Sequence, residues 1–134
     1  MNPSRLFFFA VTLSLAFTAS LKADPAAYAS IVKQRDDVLS KIVSHQEQRL
    51  RAGSGSEEEV LAARLTLYRF RRDTARTTRE KIQEQEQIVA LHEKRLSNTK
   101  TNPTLESIEV LRVTDGWLEA KQMLESLRSS EPKA

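Results

Sequence analysis

Helix-breaking residues are so sparse in this chain that few folds are open to it. Its 134 residues include only three glycines and four prolines, and past residue 24 these fall at Pro25, Gly53, Gly55, Pro103, Gly116 and Pro132. Glycine and proline are the strongest local breaks in a regular backbone. Their positions divide the chain into three helical stretches, expected at about 26–52, 57–97 and 103–128, with a frayed tail over 129–134. The expected fold class is therefore all-α: an antiparallel, coiled-coil-like helical hairpin, or a small three-helix bundle if the last stretch docks.

Apolar periodicity supports each stretch. In the first, Tyr28, Ile31, Val32, Val38, Leu39, Ile42, Val43 and Leu50 recur at steps of three and four, as an amphipathic helix requires. In the second, Ser56 and Glu59 form the S-x-x-E capping pattern, and Glu57 to Glu59 place negative charge at the positive end of the helix. A seam in heptad steps runs through Leu61, Leu65, Tyr68, Arg72, Ala75, Arg79, Ile82, Glu86, Val89, Glu93 and Leu96. Its charged members Arg72, Arg79, Glu86 and Glu93 imply loose packing, or packing through side-chain stems with the heads in water. The third stretch opens on Asn102 as N-cap and Pro103. Val110, Val113, Trp117, Ala120, Leu124 and Leu127 keep one face apolar. Asp115-Gly116 predicts a kink or a restart there, since glycine inside a helix costs about 1 kcal/mol.

A turn centred near residues 54–55 sets Val43 beside Thr66 and Val32 beside Thr77, so the unbroken second helix outruns the first by about 14 residues, roughly 20 Å. The third helix is expected to fold back over that excess, placing Glu119 near Lys81, Glu125 near Ala75 and Glu131 near Arg69.

Residues 1–23 have the order of a secretory signal peptide: Arg5 in a positive start, an apolar run from Leu6 to Ala19, and a small-residue end at Ala23, with Ser20 as the second cleavage choice. The run is shorter than the roughly 18 to 20 residues that cross a bilayer, so cleavage is expected and no transmembrane segment remains. Losing Arg5 and Lys22 takes the basic count from 21 to 19, against 18 acidic residues, so the processed chain is close to neutral. Four of the five phenylalanines go as well, leaving Tyr28, Tyr68, Phe70 and Trp117 as aromatics. Such a chain fills a narrow helical seam rather than a thick core. Cysteine is absent, which excludes thiol catalysis, thiolate metal sites and lipid attachment at a cysteine, and leaves stability to helix packing or partners. The expected location is periplasmic or secreted.

The densest charge feature is Arg69-Phe-Arg-Arg-Asp-Thr-Ala-Arg-Thr-Thr-Arg-Glu-Lys81. On a continuous helix Arg69, Arg72, Arg76 and Arg79 share one face, about 15 Å long, able to meet anionic lipid or glycan; the plainer expectation is that the acids of the third helix neutralise it. Nucleic acid is not an expected partner of an exported chain with so little aromatic interleaving. His45 and His92 lie on different helices without H-x-x-x-H or E-x-x-H spacing, so no metal site is expected and both are read as solvated. No cofactor, nucleophile elbow, phosphate loop or paired catalytic carboxylates are in view, and an enzyme is not expected.

The turn is the most specific local signal. Gly53, Ser56, Glu59, Val60, Leu61 and Ala63 fall in register with the G-x-x-[ST]-x-x-[DE]-V-L-x-A pattern that starts the second helix of the periplasmic hairpins in TolC-like outer-membrane efflux proteins, which this segment resembles over about 11 residues. The resemblance implies that Gly53, Ser56 and Glu59 form a partner-binding tip. The chain has no segments for membrane strands and only one such hairpin, so it cannot build a channel by itself.

These features point to an exported helical protein that acts by contact, through its hairpin and coiled-coil surface, with another protein or with itself. The alternative is a periplasmic holdase-type chaperone, or an electrostatic binder of anionic envelope components, working through the arginine face. A seam carrying charges makes a lone hairpin marginal. The processed chain is accordingly expected to self-associate or to melt at low temperature, which light scattering and circular dichroism check; a thermally robust monomer is the contrary result.

Overall fold

The computed structural model describes residues 24–101 and 107–131; the expected signal peptide over 1–23, the expected Asn102-Pro103 cap and the last three residues lie outside them. The described chain is all-α, with four helices: α1 (Pro25–Arg51), α2 (Glu57–Thr74), α3 (Thr78–Lys100) and α4 (Ser107–Ser130). Each packs on its neighbour in sequence, and among the described residues no other pair of helices comes together backbone to backbone.

The ends of the helices follow from local chemistry. Asp24 caps α1, its carboxylate accepting from the Ala26 N–H at 3.0 Å, with Pro25 in the first turn where its missing N–H is harmless. At the other end Gly53 takes φ +73, and the Gly53 and Ser54 amides donate to the carbonyls of Leu50 and Arg49, each at 3.0 Å. This is a Schellman closure, and it needs the left-handed conformation that glycine adopts without strain. The Ser56–Glu59 capping box then opens α2.

The second stretch is not one rod. It stops at Thr74, and Ala75 turns to an extended backbone with ψ 141. Thr77 starts a new helix, its hydroxyl accepting from the Glu80 N–H at 3.1 Å. The Glu80 carboxylate accepts from the amides of Arg76 and Thr77, both at 3.0 Å. Thr-x-x-Glu is the same box as Ser56–Glu59, and it satisfies amides that a continuing helix would have bonded backwards. Thr74 helps from the other side by donating to the Phe70 carbonyl at 2.8 Å.

This break decides the topology. Folded back as α3, the chain joins Leu65 on α2 to Ile82, Ile88 and Val89 on α3 and to Ala120 and Leu124 on α4, with Leu61, Tyr68, Leu91, Trp117 and Leu127 packed around them. The expected overhang is reversed: α1 outruns α2. The Asp36–Arg71 pair sets Thr74 opposite about Lys33, and every residue over 24–31 is exposed.

α4 runs unbroken through Gly116, where a kink or restart is expected from sequence. A Cβ at Gly116 would sit 3.3 Å from Cε1 and 3.5 Å from Nδ1 of His92. The glycine therefore serves close helix approach rather than a change of direction. The α3–α4 register also differs from the expected one, which sets Gln85 opposite Asp115; Gln85 instead donates to the Ala120 carbonyl at 2.8 Å. The acids of α4 do not answer the arginine row: Glu125 pairs with Arg128 of its own helix.

The break makes Thr77 a helix cap. Thr77→Ala should lower the unfolding free energy by about 1 kcal/mol, read from urea denaturation, whereas Thr78→Ala, one residue inside α3, should not.

Candidate functional site

α1 docks on α2 through ion pairs and a half-buried apolar row. Asp36 receives Arg71 through two bonds, of 2.6 and 2.9 Å, and Glu47 receives Arg64 at 2.6 Å. Arg35 lies over the Phe70 ring, 4.6 Å from its centre. Arg71 holds the Asp36 carboxyl below its usual range, its hydrogen bond being the leading cause. Arg64 and Arg71 share a face of α2 with buried Val60 and Leu67, and the half-buried Val32, Leu39, Val43 and Leu50 of α1 are spaced to meet that face.

This docking leaves much apolar surface open. None of the 27 residues of α1 is buried. A second apolar row, Tyr28, Ile31, Val38 and Ile42, lies about 100° round the helix from the docked one, and its members are 60, 55, 55 and 44% exposed. Together with Arg35 and His45 the row keeps heptad spacing from 28 to 45. α4 also exposes Ile108, Leu111, Leu118 and Met123.

The hairpin tip keeps Gly53, Ser56 and Glu59 together, and their polar groups are engaged. Glu59 accepts from the Ser56 N–H at 2.9 Å and from Arg49 at 3.3 Å. The first of these is the main reason its carboxyl is held below the usual range. Arg49 also donates to the Ser54 carbonyl at 2.9 Å. An outside partner at this tip has to compete with bonds that shape the turn.

The four arginines do not form one face. Arg69 and Arg72 lie on α2, Arg76 in the connector and Arg79 on α3. Arg72 points inward, 18% exposed at its side chain, donating to the Asp73 carboxylate and to the Gln85 side-chain oxygen Oε1 at 2.8 Å each. The continuous helix on which the stripe depends ends at Thr74.

Between α3 and its neighbours lies a polar set hidden from the sequence reading. Gln85 is 1% exposed and bridges three helices, accepting from Arg72 of α2 and donating to Ala120 of α4. His92, expected in solvent, is 6% exposed, and its Nδ1 has no hydrogen-bond partner among the described residues. Burial pushes its pKa down, helped by the positive charges of Arg69 on α2 and Arg95 on α3 and opposed by Glu119 on α4. The signal for both residues was a second heptad phase, 82, 85, 89, 92, 96 and 99, one step from the one through Glu86 and Glu93. The structure buries the neutral members of that choice and leaves the carboxylates wet.

A cleft of about 930 Å³ opens where α1 and α3 end and α2 and α4 begin, with Leu50, Val60, Leu61 and Leu91 among its walls. Three of its acids pair with its own arginines, Glu47 with Arg64, Glu58 with Arg95, and Glu109 with Arg95 and Arg112. Among the described residues no three His, Cys, Asp or Glu side chains gather as a metal site, and no helix is long and apolar enough to cross a membrane.

No protein-family model, no curated protein and no solved structure matches this chain.

The buried imidazole gives stability a pH dependence of definite sign. Its folded pKa is below the unfolded value of about 6.5, so the unfolded state takes up the proton first. Above that value the ring is neutral in both states and nothing is lost. As pH falls from about 7 toward 5, stability should fall by up to about 1.4 kcal/mol per pH unit. Urea unfolding across this range should show the slope in the native chain and lose it in His92→Leu.

Proposed function

We propose that this is an exported protein of the cell envelope that acts by contact, with the outer face of α1 as its recognition edge for another helix. The leader-like pattern of residues 1–23 supports export. One observation carries the contact reading: α1 contributes nothing to the buried core, yet holds Tyr28, Ile31, Val38 and Ile42 open to water in one heptad row. A helix face of this kind, read at steps of three and four, is what helix-to-helix recognition uses. Such rows are uncommon on surfaces without a partner.

The tip suggested by the likeness to efflux-protein hairpins is the other contact on the same α1–α2 unit, and the two can be told apart. The electrostatic or holdase-type alternative loses the single cationic face it relies on, because α2 ends between Arg72 and Arg76.

A photocrosslinking residue placed singly at positions 31, 38, 44 and 54, in cells that make the protein, tests the reading. Adducts are expected from 31 and 38 and not from the polar-side position 44, and Ile42→Asp should abolish them. Adducts from position 54 alone, sensitive to Gly53→Asn with Glu59→Gln, would transfer the contact to the tip. Equal yields from all four positions would refute a specific face.

A further inference from the structure

We infer that the helix that pairs with α1 is the α1 of a second copy, antiparallel, about a two-fold axis between Asp36 and Asp37; this rests on the contact reading above. The exposed row is its own complement in that register. Reversing one copy sets Tyr28 against His45, Ile31 against Ile42, and Arg35 against Val38, each pairing occurring twice, as a two-fold interface requires. Both isoleucines, 55 and 44% exposed in the single chain, meet each other and leave water. The central pairing needs only the stem of Arg35, whose guanidinium is already drawn over Phe70, 4.6 Å from the ring centre.

The rim does not oppose the arrangement. Lys41 lies across from the partner copy's Gln34, and the other flank is Val32 and Leu39, half-buried in the single chain. The two Arg35 side chains come nearest the axis, about 4.5 Å apart along it, and each guanidinium is drawn away over Phe70 of its own copy; no other like charges face each other along the seam. The fold leaves the approach clear. Among the described residues α1 packs only on α2, on a face about 100° away, and residues 24–31 extend past the end of α2 with no other described helix beside them. Those first two turns are short of the length at which a helix persists without packing, and a partner's C-terminal half of α1 covers them in this register. The seam spans 18 positions, about 26 Å, and removes on the order of 1,000 Å² from water, near the lower bound for a specific interface. A seam of that size belongs with weak, reversible associations.

The absence of cysteine makes the register directly measurable. The chain from Asp24 onward should sediment as a dimer near 100 µM and dissociate on dilution, and Ile31→Asp with Ile42→Asp should weaken the dimer at least tenfold. Circular dichroism of that variant should remain helical, since the α2–α4 core contains no α1 residue. Mild oxidation of a mixture of Ile31→Cys and Ile42→Cys chains should give the mixed disulfide, and likewise Arg35→Cys with Val38→Cys. Ile31→Cys alone should give none, because two copies of that position lie about 16 Å apart. Disulfides of Ile31→Cys with itself would establish a parallel pairing and overturn the proposal, as would a dimer indifferent to the two aspartates. A chain that stays monomeric at every concentration overturns the second copy alone; envelope adducts of non-self mass from positions 31 and 38 would then keep the contact face and give it to a different helix.

Discussion

The reversal at Ala75 to Thr77 is the constraint on which the rest of the structure depends. A 44-residue rod from Glu57 to Lys100 would have carried Leu65, Ile82, Ile88 and Val89 into solvent with only one partner helix beside it. Ending α2 at Thr74 costs the hydrogen bonds of about one turn. Glu80 offsets that loss by receiving the Arg76 and Thr77 amides, and Thr77 by receiving that of Glu80. The larger gain is the burial that the reversal permits, because α3 can then pack on α2 along one side and on α4 along another.

That reversal also explains why α1 is different from the other three helices. The core is complete across α2, α3 and α4, and α1 is added to its edge through Asp36, Glu47 and Arg35. Ion pairs about a third exposed contribute little to stability, and they fix geometry more than they bind. The outcome is a helix held in place with one apolar row docked and another left open. On the contact reading proposed above, this docking keeps that face aligned for a neighbour.

The interior of the three-helix part is tied by polar groups as well as by leucines. Gln85 connects Arg72, its own helix and the Ala120 carbonyl. A buried amide that reaches both neighbours admits one register and penalises its slips, because any shift strands a desolvated donor or acceptor. His92 is the opposite case, a buried nitrogen without a partner, tolerated while neutral and facing the bare backbone of Gly116. The glycine is the reason α4 comes close enough to cover it.

Much of this was legible in the residues themselves. Local signals are read from neighbours in sequence, so the all-α class, the α1–α2 turn at Gly53, the Ser56–Glu59 cap and the hairpin register near the turn were available; Glu47 meets Arg64 as a turn near residue 54 demands, whereas the expected Val32–Thr77 pairing is lost where α2 ends at Thr74. The second cap was equally written, in Thr77 and Glu80, but a heptad seam could be drawn straight through it, and periodicity alone does not say whether a helix continues or stops. Which phase of that seam is buried, why Gly116 is tolerated inside α4, where Arg72 points and which row of α1 stays open were decided by tertiary packing. Each depends on how far apart two helices stand once the chain has folded back, and that distance is set by side chains dozens of positions away, such as Gln85 against Ala120, rather than by any local pattern.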